Sequence, residues 1–532
     1  MINNTLGHRG MVTAPHHLAA DAGRDVLREG GSAVEAMVTA AAVIAVVYPH
    51  MNAIGGDGFW LVAEPGSRPI GIDACGPAAR SADRGWYTER GFTQIPARGP
   101  AAALTVPGTI DGWAKALAQP AAGAGRLPLS RLLAPAVALA REGVAVTAGQ
   151  AALTASKLDG LQDIPGFAET FLDDSGSALT TGARLRQSRL ADTLEQLGRA
   201  GLDDFYRGDV ANSMARELNA LDSPLDLIDF QAFTAKSVTP LSLRIQAADA
   251  EIFNMPPPTQ GLASLFILGV FDRLGISESE GFEHIHGLVE STKQAFLLRD
   301  AEVTDPRWMR TEAQALLTGE RLDEAAGRID RDHAAPWPHP AMPGDTVWMG
   351  AMDAEGRSVS FIQSIYWEYG SGVVLPETGV LMQNRGMSFG LSPDHTQALE
   401  PGRRPFHTLN PAMARFNDGR QMVYGTMGGE GQPQTQAAVF SRYAMFGMPI
   451  QRAITAPRWL LGRTWGESST TLKLESRFDD ALIEALKTAG HDIEILGDYD
   501  STLGHAGAII SHPDGLQEGA SDPRSDGHVA AV

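Results

Sequence analysis

A single cysteine, Cys75, stands among 532 residues, so no intrachain disulfide can form, and the composition suits a reducing compartment. Basic residues are also in short supply: 43 Lys and Arg against 63 Asp and Glu give a formal charge of −20. That balance favours solubility and opposes nucleic acid or an anionic membrane surface as partner. The longest apolar run, residues 37–47, is too short to span a bilayer and reads as a buried helix. The opening MINNTLGHRGM lacks a basic head followed by an apolar stretch, so no secretory signal and a cytoplasmic location are expected. Internal repeats and low-complexity tracts are missing as well. What is left is a long chain able to bury a large core, with a length prior of about three domains.

Helix signals come first along the chain. Residues 18–29 are periodic and stop at Gly30-Gly31, and Ser32 with Glu35 makes a capping-box pattern ahead of the apolar run. A glycine cluster, Ile54-Gly55-Gly56-Asp57-Gly58-Phe59, leads into strand-like residues 60–63. It precedes a strand instead of joining a strand to a helix, so it fails as a nucleotide loop and reads as tight backbone packing. Residues 70–73 read as a strand ending at Cys75; no base can be assigned to that thiol, and a structural cysteine is expected. The stretch 113–245 reads as mostly helical, with amphipathic segments at 190–200 and 210–221. Pro256-Pro257-Pro258 then marks a rigid turn into an apolar helix at 262–274. In His284-Ile285-His286 the two histidines point apart on a helix and lack a completing carboxylate, so a packed helix is expected there and no metal; His16-His17 and His50 are equally unsupported as ligands.

The Pro- and His-rich stretch 327–345 resists regular structure and reads as a cuttable linker. Beyond it come a strand at 346–352, the turn Asp353-Ala354-Glu355-Gly356 and a second strand at 357–365. A hairpin whose first residue is Thr346 suits a nucleophile that becomes a new N-terminus, although an ordinary strand threonine would read the same way. Further strands are expected at 379–383, 412–416, 421–424, 492–496, 506–511 and 516–521, with helices following Pro433 and at 479–489. Gly428 and Gly429, in Gly425-Thr426-Met427-Gly428-Gly429-Glu430-Gly431, read equally as a simple turn or as backbone donors to an oxyanion.

Several stretches together resemble the γ-glutamyltranspeptidase family of N-terminal-nucleophile (Ntn) hydrolases. They are LREGGSAVEA (27–36), the glycine cluster at 54–59, TVPGT (105–109), NMPPPTQG (254–261), GDTVWMGAMDAEG (344–356), RRPFHTLNP (403–411), GTMGGEGQPQ (425–434), APRW (456–459) and GASDPRSDG (519–527). They run in the family's order over nearly the whole chain. The resemblance implies an α/β fold of four layers, an αββα sandwich in which two sheets lie between helices. It also implies a precursor that cuts itself between Asp345 and Thr346, leaving a large part, 1–345, and a small part of 532 − 345 = 187 residues, 346–532. The two fragments would stay together as one intertwined domain. In that scheme Thr346 is the nucleophile, Ser364 falls where the family has a threonine that hydrogen-bonds it, and Gly428 and Gly429 fall on the oxyanion-hole glycines. The freed α-amine, with an unperturbed pKa of about 7.7–8.0, serves as the base, and no metal or organic cofactor is required.

The resemblance departs from glutamyl-specific members at the amino-acid clamp. No arginine stands in Asp73-Ala74-Cys75-Gly76; Met387 takes the aspartate position, Tyr366 the asparagine position, and His407 and Thr408 those of the paired serines. A pocket without that carboxylate would bury a substrate ammonium unpaired, which is costly. Arg385, Arg404 and His407, with Arg98 further off in sequence, are the candidates for holding a carboxylate instead. These residues point to a small carboxylate-bearing amide as substrate, and the resemblance implies oxamate, hydrolysed to oxalate and ammonia. The alternatives are γ-glutamyl transfer or glutathione hydrolysis with a rebuilt pocket, an acylase of larger amides, and, last, an inactive binding module. Whether the processed unit pairs into a homo-oligomer is left open.

Overall fold

The structure, a computed structural model, describes residues 3–123, 127–338, 345–462 and 469–532, with Asp345 described by its backbone. Residues 328–338 form no helix or strand; the rest of the linker, including Pro343 and Gly344, lies outside the described residues.

Two seven-stranded sheets form the centre. One runs, edge to edge, Thr5–Gly7, Gln517–Ser521, Ala506–Ser511, Gln421–Thr426, Ala412–Phe416, Ala250–Asn254 and Leu241–Ile245. The other runs His528–Ala531, Gly10–Ala14, Asp345–Asp353, Ser358–Tyr366, Asp57–Ala63, Ile70–Ala74 and Lys236–Val238. Strand alternation sorts side chains into layers. From Asp345–Asp353, Val347, Met349 and Ala351 join a core with the helices His17–Arg28 and Ala33–Val47, whereas Trp348 and Met352 join Phe253, Met413, Val423 and Ile509 from the opposite sheet. That sheet turns Ile252, Met422, Tyr424 and Ile510 to the helices Gly261–Leu274, Phe282–Glu302 and Gly431–Phe440. The layers are therefore helix, sheet, sheet, helix: the αββα sandwich.

Local signals hold where they are strongest. Ser32 and Glu35 close a full capping box, and all fifteen residues of Ala33–Val47 are buried, as the all-round apolarity requires. His284 and His286 do point apart on Phe282–Glu302, one to Ser441 Oγ at 3.0 Å and the other to His491 at 2.9 Å. Two readings need correction. Residues 379–383 form no ladder, only isolated bridges such as Val374 to Leu381, because the chain doubles back at Gly379, whose φ is 68°. The stretch 113–245 ends in strands: Lys236–Val238 and Leu241–Ile245 are edge strands of the two different sheets, and Thr239-Pro240 carries the chain between them.

Trp348 fills the space between the sheets, its indole N–H donating to Ser360 Oγ at 3.0 Å. Glycines make that room: a Cβ at Gly425 would lie 2.2 Å from the indole, and one at Gly507 2.5 Å. Gly425→Ala should therefore cost about 1–3 kcal/mol through overpacking, read as a lower denaturation midpoint; an unchanged midpoint would show that the sheets separate freely there.

Candidate active site

Thr346 is buried at the start of a central strand, between Gly10–Ala14 and Ser358–Tyr366. Asp345 pairs with Tyr366 and Val347 with Gln363, so one residue, Thr346, opposes two, Ser364 and Ile365. This bulge bends the ladder and re-aims the side chains beside it. Ser364 Oγ accepts the Tyr366 N–H at 2.8 Å, and Tyr366 holds φ at 84°, a rare conformation for a bulky residue. Gln432 Nε2 donates to Thr346 Oγ1 at 3.4 Å.

Gly428 and Gly429 follow the strand Gln421–Thr426 with φ of 117° and 51°, values that disfavour any side chain. Their carbonyls accept from Gly431 N and Gln432 N at the start of the helix Gly431–Phe440. Their own N–H groups make no hydrogen bond among the described residues. A buried brace holds this turn: Gln260 Nε2 donates to the carbonyls of Gly429 and Thr408, both at 2.8 Å, while Arg299 donates to Gln260 Oε1 and pairs with Glu430, both at 3.1 Å.

Arg385, His407, Thr408 and Tyr366 come together around a fifth residue, Asp57. The Arg385 guanidinium is fully buried, lies 3.8 Å above the Tyr366 ring and reaches Thr408 Oγ1 at 3.5 Å, yet its Nε and Nη2 have no hydrogen-bond partner. Burial pulls its pKa down to about 10, so it stays charged near neutrality. Asp57 Oδ1 accepts from Gly76 N, Gly108 N and Gln383 Nε2, and Oδ2 lies 3.0 Å from His407 Nε2. Burial pushes this carboxyl up to about 7 and drives His407 well below its usual range. The Asp57–His407 contact is thus a hydrogen bond to a neutral imidazole and not an ion pair.

The expected glycine packing of residues 54–59 holds, but its purpose was missed. A Cβ at Gly76 would lie 1.6 Å from Val106 O, and one at Gly108 2.0 Å from Ala74 O. The glycines let three chain segments converge on Asp57, the one carboxylate within the cluster 54–59, and that is the signal in the sequence. Gln432 was missed too, hidden in a motif read for its glycines.

Arg404 stands apart, paired with Asp73 and, at 3.7 Å, with Asp305; it lines a cavity of about 270 Å³ together with Cys75 and Lys236. Arg98 donates to the carbonyls of Glu368 and Gly370. Two groupings have the spacing of metal ligands, Asp57, Cys75 and His407, and His286, Glu290 and His491. Each lies against a cation, Arg385 in the first case and Lys293, 2.6 Å from Glu290, in the second, which opposes a metal ion.

Arg299→Met should cost about 3–5 kcal/mol, since it removes the cation from the buried Glu430 carboxylate; a denaturation curve that does not move would show that the brace carries no load.

The family model described as gamma-glutamyltranspeptidase matches residues 19–532. The oxamate amidohydrolase proenzyme of Klebsiella pneumoniae is 55% identical over 531 residues, covering 100% of both chains. A glutathione hydrolase-like proenzyme of Bacillus subtilis is 38% identical over 538 residues, again covering 100% of both. The crystal structure of cephalosporin acylase from Bacillus halodurans superposes with a TM-score of 0.91 at 32% identity, over 100% of this chain and 97% of that one. The chain belongs to the gamma-glutamyltranspeptidase family, as an amide hydrolase with the Ntn fold.

Proposed function

We propose that the chain is a precursor that cuts itself between Asp345 and Thr346 and then hydrolyses oxamate. The observation that carries the substrate reading is the buried Arg385 guanidinium with two unsatisfied donor nitrogens. A planar fork of that kind matches a carboxylate, and a buried donor left without a partner is costly unless a ligand supplies one. Thr408 and Tyr366 hold the fork in place. The 55% identity to an oxamate amidohydrolase proenzyme supports the same substrate.

In the precursor, Thr346 Oγ attacks the carbonyl carbon of Asp345, the acyl group moves from nitrogen to oxygen, and water releases the ester. The two parts, 1–345 and 346–532, stay associated because both sheets draw strands from either side of the junction. The new α-amine then takes the proton from Oγ as it attacks the carboxamide carbon. The N–H groups of Gly428 and Gly429 stabilise the oxyanion, the amine passes the proton to the leaving nitrogen, and ammonia departs. Water hydrolyses the remaining ester. The balance is oxamate plus water giving oxalate plus ammonium. Ser364 sets the Tyr366 backbone beside the nucleophile. One cysteine in 532 residues suits a reducing compartment, and a cytoplasmic enzyme is the reading we favour.

Glutathione hydrolysis, the second reading, is favoured by the Bacillus subtilis relative, but an α-ammonium needs a free carboxylate. Asp57 already accepts from three donors and is in contact with His407 Nε2.

A denaturing gel with intact mass should show two fragments meeting at the 345/346 junction, and an uncut chain in Thr346→Ala. The cut protein should release ammonia from oxamate and no aromatic amine from a γ-glutamyl anilide. A single wild-type chain would sink the self-cleavage, and the reverse substrate preference would install the second reading.

The chemistry also sets a pH dependence. Below about 7 the Asp57 carboxyl is protonated and the Arg385 charge is free for the substrate; above it, the carboxylate competes for that charge. KM for oxamate should therefore rise as pH increases through about 7, while kcat climbs with deprotonation of the α-amine. In Asp57→Asn the KM profile should be flat. A KM that stays level in the wild type would remove Asp57 from this role.

A further inference from the structure

Three glutamines, Gln432, Gln434 and Gln436, lie buried on the helix Gly431–Phe440. Gln434 uses both ends of its carboxamide, Nε2 on Leu461 O at 3.1 Å and Oε1 on Leu461 N at 2.8 Å. Gln436 does the same between Asn410 O and Asn254 Nδ2. Gln432 differs. Its Nε2 donates to Thr346 Oγ1 at 3.4 Å, and its Oε1 is buried with no partner. Four other buried carboxamide oxygens lack a partner, those of Gln150, Gln383, Asn410 and Gln517, but this one sits on a side chain already touching the hydroxyl assigned above as nucleophile.

We propose that Gln432 is a further catalytic residue: Nε2 fixes the Thr346 hydroxyl while Oε1 accepts an N–H from the leaving nitrogen of the substrate carboxamide. The inference rests on the reading of Thr346 as nucleophile. A carboxamide's two arms are close together, so a side chain that holds the attacking oxygen also presents an acceptor beside the carbon it attacks. As the Oγ–C bond forms and the C–N bond breaks, the nitrogen gains the proton carried by the α-amine and becomes a stronger donor. The hydrogen bond to Oε1 therefore strengthens in the transition state, which is where an interaction accelerates the reaction. A leaving group without N–H leaves Oε1 as it is now, so Gln432 selects amides over esters.

The test compares oxamate with the monomethyl ester of oxalic acid, which has the same carboxylate and the same carbonyl but expels methanol. Both are assayed on fully cut protein, judged by gel. Gln432→Met should lower kcat/KM for both substrates, since the hydroxyl loses its holder, and should lower the amide at least about tenfold further than the ester. Gln432→Glu keeps an acceptor and should retain the wild-type amide-to-ester ratio. If Gln432→Met is left uncut, Gln432→Asn, whose shorter arm cannot reach both atoms, is read for the same loss of ratio. An equal fall on amide and ester overturns the proposal and leaves Gln432 a holder of Thr346 only. Wild-type protein that is cut but inert to oxamate refutes the substrate reading instead, and the ratio is then measured on the amide it does hydrolyse and the matching ester.

Discussion

The site depends on one strand, Asp345–Asp353, being hydrogen-bonded on both sides at the centre of its sheet. Ser358–Tyr366 pairs with it along nearly its whole length and Gly10–Ala14 along residues 350–353, which fixes the alternation: Val347 and Met349 pack under helices and Trp348 wedges between the sheets. A residue at the end of so constrained a strand has little freedom of its own. Thr346 inherits that rigidity, and the bulge opposite it is where the regular ladder gives way to a shaped site.

Around it the chain tolerates an unusual concentration of buried charge. Asp57 is stabilised by backbone N–H groups and amides, and no cation contacts it directly; Arg385 is stacked on Tyr366 with part of its fork uncommitted. The charged groups on the far side of Cys75, Arg404 with Asp73 and Asp305, are ion-paired, although Arg404 Nε too lacks a hydrogen-bond partner; Arg385 leaves two nitrogens open and has no carboxylate in ion-pair contact among the described residues. The contrast separates a structural arginine from one whose environment is incomplete without a ligand, a distinction that residue type alone does not carry.

Much of the architecture was legible beforehand, because amphipathic periods and caps are local. The capping box at Ser32, the strand 412–416 and the strand 506–511 fall where their patterns put them. The edge strands Thr5–Gly7, Lys236–Val238 and His528–Ala531 were not read, being short, partly polar and stabilised only by the neighbour they pair with. At the site, Arg385, His407, Thr408 and Tyr366 were chosen for their motif positions and do meet. Asp57 and Gln432 were overlooked because what distinguishes them is the count of donors and acceptors facing them, and that count exists only once distant segments converge.

The mixed ancestry of the two sheets has a mechanical side. The strand beginning at Thr346 is zipped to Gly10–Ala14 on one flank, and the last strand, His528–Ala531, closes over the other edge of that same early segment. A segment from the beginning of the chain is thus clamped between two from its end. Severing the backbone at the junction would change the number of molecules without changing the number of bodies: dilution could not part them, because parting would mean tearing a sheet down its middle.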